Sequence, residues 1–180
     1  VVGHLADLHL RGTQFTADLE SATTLDAAGP RGLDRLEFGF SANPGEPPRS
    51  LARIASGGEI SRLMLALKSE LAARDDIPTM IFDEIDVGIG GVTIGAVAAK
   101  MAALAGLRQV IVVTHHAPIA ARADCHLALE KTSEAASTTL SVRRLDDEAR
   151  VQELARMLGR KPPTEATLSM ARELLAEARP

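Results

Sequence analysis

Aromatic residues are nearly absent from this chain of 180 residues. Trp and Tyr do not occur, and four Phe residues make up the aromatic fraction of 2%. Because single-stranded nucleic acids are bound by stacking bases on aromatic faces, the composition argues against such a platform. The hydrophobic fraction of 46% must come from Ala, Leu, Val and Ile instead, and the chain is long enough to bury a core from them.

The chain also has little cysteine, no net positive charge and no long apolar run. The single Cys125 excludes an internal disulfide framework and fits a reducing cytoplasm. No apolar run reaches the length of a membrane-spanning helix. The net charge of −4 argues against a chain that binds nucleic acid with its whole surface. We expect a cytoplasmic protein, and, because the chain starts at Val1 inside a helical pattern, a segment of a longer protein.

Two glycines open a predicted amphipathic helix over residues 58–74, in the motif Ser56-Gly57-Gly58-Glu59. Glycine lets the backbone approach a ligand closely, and the free N–H groups and helix dipole attract an anion. The motif therefore indicates a phosphate-binding helix start. The alternative is an ordinary capping box, with Ser56 as the N-cap and Glu59 three residues later.

An acidic pair follows an apolar strand predicted over residues 78–82. Asp83 and Glu84 would stand at the carboxyl end of that strand, where ligands of α/β proteins bind. P-loop ATPases use such a pair to hold Mg²⁺ and to activate water. We expect Asp83 to hold the metal through water and Glu84 to orient or deprotonate the attacking water. A solvated strand end is the alternative.

Two more polar positions follow these strands. Asp86 lies in a glycine-rich loop whose spacing does not fit the dinucleotide motif G-x-G-x-x-G. His115 follows a second apolar strand, predicted over residues 109–113, and could bind a γ-phosphate and sense its loss. A polar loop histidine is the alternative, and the neighbouring His116 could take the same role. The phosphate-cradling motif G-x-x-x-x-G-K-[ST] does not occur in the sequence.

The predicted order of elements indicates an α/β fold. Two alternating strands over residues 13–19 and 35–40 precede the first motif, and strand, helix and strand follow it, as in a parallel sheet. A hairpin around residues 133–137 and two helices over 147–158 and 164–178 complete the chain. The last part is rich in arginine, which indicates either solvated faces or contact with phosphate groups.

These motifs, in this order, resemble the RecN family of bacterial SMC-like DNA double-strand-break repair proteins. The match rests on residues 37–38 and 41–47 and on the segments 55–62, 81–91, 112–115 and 151–159. Its narrowest elements are Asn43-Pro44-Gly45-Glu46 and the loop 86–91, Asp-Val-Gly-Ile-Gly-Gly. The resemblance covers essentially the whole chain. It implies an α/β fold, the C-terminal lobe of an ABC/SMC-type P-loop ATPase head, with a mostly parallel sheet flanked by helices and without the Walker A segment.

The resemblance also implies roles for single residues. The signature motif would be Ser56, Gly57, Gly58 and Glu59, the Walker B aspartate Asp83, the catalytic glutamate Glu84, the D-loop residue Asp86 and the switch histidine His115. Residues 1–10 would be the end of a coiled-coil helix, and residues 11–180 the lobe. ATP and Mg²⁺ are the implied cofactors. The implied partners are the N-terminal segment of the same head, a second head in an ATP sandwich, and DNA.

Two other functions stay open at this point. The chain could be a non-catalytic lobe that only pairs with its N-terminal segment. It could also be a fragment of the nucleotide-binding subunit of a membrane transporter, although the interrupted cassette argues against this. Under the main hypothesis the isolated chain is an inactive part of an ATPase, because it lacks the Walker A lysine.

Overall fold

A computed structural model describes residues 1–24, 26, 28–30, 32–51, 57–72, 74, 76–134, 137–159 and 162–178. These residues form two compact units, Val1–Ile77 and Pro78–Pro180. Among the helices described, none has the length and apolar character that crossing a membrane requires.

The first unit combines an antiparallel sheet with two helices. Its elements are α1 (Val2–Asp7), β1 (Gln14–Ser21), β2 (Asp34–Ser41), β3 (Arg49–Ser50) and α2 (Gly57–Leu71). Strand order is β1-β2-β3. Alternation places the Phe side chains of β1 and β2 on one face, where the rings of Phe15 and Phe38 stack with centroids 5.4 Å apart. Phe40 continues this face into the buried core.

Apolar spacing predicts that α2 buries a face made of Ile60, Leu63, Met64, Leu67 and Leu71. Leu63 is buried as expected, but Met64 and Leu71 are exposed, whereas Leu65 and Ala66 are buried. The helix contacts α1, which buries Leu5 and Leu8. Packing against a neighbour thus determines which side of α2 is covered, and the helix ends at Leu71 rather than at residue 74.

The second unit begins with a parallel pair of strands. β4 (Thr79–Phe82) and β5 (Gln109–Val112) pair in parallel, from Thr79 opposite Gln109 to Phe82 opposite Val112. Parallel strands need a crossover connection, and α3 (Val92–Ala105) provides it. The interior side of α3 is apolar and buried, with Ile94, Val97, Ala98, Met101 and Leu104.

The rest of the second unit is a hairpin and three helices. Its elements are α4 (Ala117–Ala121), β6 (Leu127–Glu134), β7 (Ser137–Arg144), α5 (Asp147–Leu158) and α6 (Glu165–Ala178). Leu154 and Ala155 of α5, Ala171 of α6 and the alanines of α4 form a buried cluster. Asp146 caps α5 by accepting the N–H of Ala149 at 2.8 Å.

Three arginines near the C-terminal end have partners within the chain. Arg150 donates to the carbonyls of Ala121 and Ala123 at 3.1 and 2.6 Å. Arg156 donates a bidentate pair of hydrogen bonds to the carboxylate of Glu153, and these bonds raise the pKa of the guanidinium. Arg143 lies 3.9 Å from Glu130. For these three arginines, contacts within the chain account for the guanidinium groups without a bound phosphate.

The α/β class predicted from the sequence is confirmed, but the prediction of a mostly parallel sheet needs correction. Among the described strands only β4 and β5 pair in parallel, while β1-β2-β3 and the hairpin β6-β7 are antiparallel. The physical reason is connectivity. Among the paired strands described, only β4 and β5 have a helix between them, and a parallel pair needs such a crossover connection.

Candidate functional site

The two parallel strands end side by side, as the sequence predicted. The N–H of Val113 donates to the carbonyl of Phe82 at 2.9 Å, which extends the pairing by one residue beyond β5. Asp83 and Thr114 therefore leave the sheet at the same edge. This edge gathers the acidic pair, the Asp86 loop and the two histidines in one unit.

Glu84 has an unusual backbone conformation. Its φ of 57° lies in the left-handed region, which non-glycine residues rarely occupy. The side chain of Asp83 supports this turn, because its Oδ1 accepts the N–H of Glu84 at 2.9 Å. Strained residues of this kind cost about 1–3 kcal/mol and are concentrated at functional sites. Both carboxylates are exposed, so water and ions can reach them.

Asp86 is placed differently, since it is only 3% exposed. Its Oδ2 accepts a hydrogen bond from the Thr114 hydroxyl and one from the backbone N–H of His115, the latter at 3.3 Å. The same oxygen lies 3.5 Å from Nδ1 of His115. The resemblance to the RecN family implies a cofactor-binding D-loop residue at Asp86, and in the structure these contacts hold its carboxylate against the segment after β5.

The two histidines stand next to each other at the outer side of this edge. His115 is 73% exposed, and His116 is partly buried. Their ring centroids are 4.1 Å apart, and the N–H of His116 donates to the Thr114 hydroxyl at 3.0 Å. His115 is therefore the one that combines contact with Asp86 and access to a ligand in solution.

Two groups of side chains at this edge could bind a metal ion: Asp86 with the two histidines, or Asp83. One donor atom each of Asp86, His115 and His116 lie within 4.8 Å of one another, and mixed nitrogen and oxygen ligands suit zinc-like ions. The Asp86 oxygen already accepts hydrogen bonds from two protein groups, however. Mg²⁺ requires oxygen ligands and keeps several waters, which fits the exposed carboxylate of Asp83 better.

The signature-motif residues belong to the first unit. Gly57, Gly58 and Glu59 form the first turn of α2, as predicted, while Ser56 and its capping role lie outside the described residues. A Cβ added to Gly57 would meet no atom of the described residues within 4 Å. Residues 52–56, directly before the helix, lie outside that part of the chain.

Thr114 is a residue of this edge to which the sequence analysis gave no role. Its hydroxyl donates to Asp86 and accepts the N–H of His116, so it ties the loop after β4 to the segment after β5. A threonine directly before a histidine at a strand end was visible in the sequence. Its partner Asp86 is 28 residues away, and only the parallel pairing of β4 and β5 brings the two together.

The class of fold follows from comparison with solved structures. The described chain has the fold of an SMC-type ATPase head. It matches the Smc head domain of Pyrococcus yayanosii with a TM-score of 0.62 and 21% identity, over 88% of this chain and 28% of that one. The Smc head of Pyrococcus furiosus bound to the C-terminal domain of ScpA gives a TM-score of 0.56, also with 21% identity, over 86% and 36% of the two chains.

Sequence relatives identify the family more closely. DNA repair protein RecN of Treponema pallidum is 47% identical over 178 residues, which are 97% of this chain and 31% of the relative. RecN of Deinococcus radiodurans is 50% identical over 145 residues, 81% of this chain and 25% of the relative. The chain corresponds to a segment of the RecN family, the C-terminal part of the head, and spans about a third of its relatives' length. No family model matches it.

Proposed function

We propose that this chain is the C-terminal half of a RecN-like ATPase head, which pairs with a second head around ATP and hydrolyses it during DNA double-strand-break repair. The observation that supports this most is the edge shared by β4 and β5. There an exposed acidic pair, Asp83 and Glu84, stands beside an exposed histidine, His115. Phosphoryl transfer to water needs these three groups: a carboxylate for Mg²⁺, a base for water and a donor to phosphate.

The residues present fit ATP and Mg²⁺ in part. Asp83 uses one oxygen to support Glu84, and its carboxylate is exposed, so it can accept a hydrogen bond from water on the metal. Glu84 stands one residue further along, where its carboxylate can orient or deprotonate the attacking water. Mg²⁺ would neutralise charge that develops on the phosphate oxygens. The cradle for the phosphates is not in this sequence and must come from another segment.

A bare apolar face supports an N-terminal segment of the same head as the first partner. Met80 and Phe82 are buried on one side of the β4–β5 pair, whereas Ile81, Ile111 and Val113 are 69%, 45% and 54% exposed on the other. Parallel sheets are normally covered on both faces. About two thirds of the length of the relatives lies outside the matched part. A segment from that remaining part could cover this face.

The second head and DNA are proposed from the relatives and from the start of α2. One SMC ATPase that matches 89% of this chain with a TM-score of 0.50 was solved in work on ATP-driven dimerization and DNA-stimulated activation. The open space around Gly57 allows close approach of a triphosphate bound to the other head. DNA enters the proposal because the sequence relatives are DNA repair proteins.

The variant Glu84→Gln in the full-length protein tests the proposed chemistry. The amide keeps the shape but loses the basicity of the carboxylate, so single-turnover hydrolysis should fall by about 10²–10⁴-fold, the usual contribution of a general base. ATP binding should persist, and paired heads should accumulate. Glu177→Gln, the same change at an exposed position of α6, serves as the control. Unchanged single-turnover hydrolysis in Glu84→Gln would exclude Glu84 as the catalytic base.

A further inference from the structure

We propose that Asp86 is a positioning residue for His115, and that it acts on hydrolysis through this histidine instead of contacting nucleotide or metal. The proposal rests on the function proposed above. It assigns to Asp86 a different task from the neighbouring carboxylates of Asp83 and Glu84, although all three follow the same strand.

Burial separates Asp86 from the other two carboxylates. Asp83 and Glu84 are exposed, but Asp86 is 3% exposed. A buried carboxylate is stable only when protein groups replace the water that it lost. Here the Thr114 hydroxyl and the backbone N–H of His115 do so. A nucleotide or a metal ion would have to compete with both of these hydrogen bonds for the same oxygen.

The same contacts fix the segment that carries His115. Thr114 is held through its side chain and His115 through its backbone, and the Thr114 hydroxyl in turn accepts the N–H of His116. Thr114 and His115 are thus hydrogen-bonded directly to the Asp86 carboxylate, and His116 is connected to it through Thr114. The backbone position of His115 is set by Asp86 before any ligand is bound.

The ring of His115 is also oriented by this carboxylate. Nδ1 is the ring nitrogen that faces Asp86, 3.5 Å from its Oδ2. Nε2, on the opposite side of the imidazole, then points away from Asp86, and the side chain is 73% exposed. A histidine whose inner nitrogen is fixed by a carboxylate presents its outer nitrogen in a defined direction.

A double-mutant cycle in the full-length protein tests this role. Asp86→Asn keeps the size and an oxygen for the Thr114 and His115 donors, but removes the charge beside Nδ1. The rate of single-turnover hydrolysis should fall about 10-fold. An effect of this size lies within the range of interaction energies that double-mutant cycles give for residues in contact. In a His115→Ala background the same substitution should have no further effect. ATP affinity and the magnesium concentration at half-maximal rate should stay at their wild-type values.

Control variants separate this role from a structural one. Asp124→Asn makes the same change at an exposed site of the same unit and should leave hydrolysis unaltered. Thr114→Val leaves the carboxylate intact but removes the hydroxyl that holds it, and its effect should also disappear in the His115→Ala background. This variant keeps the test valid if Asp86→Asn does not fold, which thermal unfolding would reveal.

The possible results are distinct. Additive effects of Asp86→Asn and His115→Ala, or a shifted magnesium dependence, would overturn the positioning role and favour direct contact with the metal or nucleotide. Failure of the proposed function has a different signature, because then the unmodified full-length protein would show no magnesium-dependent hydrolysis, or Glu84→Gln would leave hydrolysis unchanged. Non-additivity together with unchanged ATP affinity supports the proposal.

Discussion

Replacing Ile81 by Ser should weaken the association between this chain and the N-terminal segment of its head, with little effect on the stability of the chain itself. Ile81 lies in the middle of β4, yet it is 69% exposed. An exposed side chain contributes little to folding of the unit that carries it. If the N-terminal segment covers this face, the same side chain becomes part of an interface core.

The size of the effect follows from the exposed fractions. Complete burial of a Val or Ile side chain is worth about 1.5–3 kcal/mol, so the area of Ile81 that remains exposed should contribute about 1–2 kcal/mol when covered. That corresponds to a loss of affinity of about 5- to 30-fold for Ile81→Ser. Ile111 and Val113, which are 45% and 54% exposed on the same face, bring the contribution of the face to about 2.5–5 kcal/mol.

A matched pair of variants makes the measurement specific. Val113→Ser changes the bare face, and Val92→Ser makes the same change at the first residue of α3, where Val92 is 77% exposed. The N-terminal segment and this chain, expressed together as two polypeptides, would be compared by sedimentation over a dilution series. Ile81→Ser and Val113→Ser should dissociate at higher concentration than Val92→Ser. Equal dissociation of all three variants would refute the assignment of this face to the N-terminal segment.

Three further outcomes are expected. The purified chain alone should bind ATP weakly and show no measurable magnesium-dependent turnover, because it lacks a Walker A lysine; robust turnover would contradict the proposed function. Gly57→Asp in the full-length protein should spare nucleotide binding but prevent ATP-dependent pairing with a Glu84→Gln head in light scattering, since an anion at the helix start repels a triphosphate. If Gly57→Asp pairs as well as the wild type, Gly57 only begins the helix and does not contact the nucleotide of the other head. Burial, reinforced by Arg150, lowers the pKa of His126 below its ordinary value of 6.5. Protonation therefore favours the unfolded state, so the free energy of unfolding should decrease as pH falls below about 6.5, and less so in His126→Gln, measured by urea titration at several pH values. An equal decrease in both proteins would assign the pH dependence to other groups.

The local elements could be predicted from the sequence to within a few residues. β5 and α5 were expected over residues 109–113 and 147–158, and are found at Gln109–Val112 and Asp147–Leu158. Caps and apolar periodicity are encoded by neighbours along the chain, as the hydrogen bond from Ala149 to Asp146 illustrates. Such signals need no knowledge of the tertiary structure.

Burial could not be predicted in the same way. The run around Ile81 indicates a strand buried on both faces, yet one face is bare in this chain. An apolar residue is selected by the environment of the complete head, and the sequence does not say which segment provides that environment. Likewise, the contact of Asp86 with Thr114 spans 28 residues and depends on the register of β4 and β5. The assignment of Asp86 to the ligand-binding residues came from the family resemblance, which says nothing of this contact.

For some residues of the candidate site, contacts within the described chain explain why that amino acid is present. For others they do not. Asp86 has its hydrogen-bond donors within the second unit, so its burial and its charge are accounted for by Thr114 and His115. Among the described residues, none lies within 4 Å of the place where a Cβ of Gly57 would stand, and Glu84 keeps a left-handed φ that glycine would adopt at lower cost. Backbone conformation alone would therefore favour a residue with a Cβ in the first turn of α2 and glycine at position 84. Under the function proposed above, a bound nucleotide or a partner would supply the reason for Gly57 and Glu84.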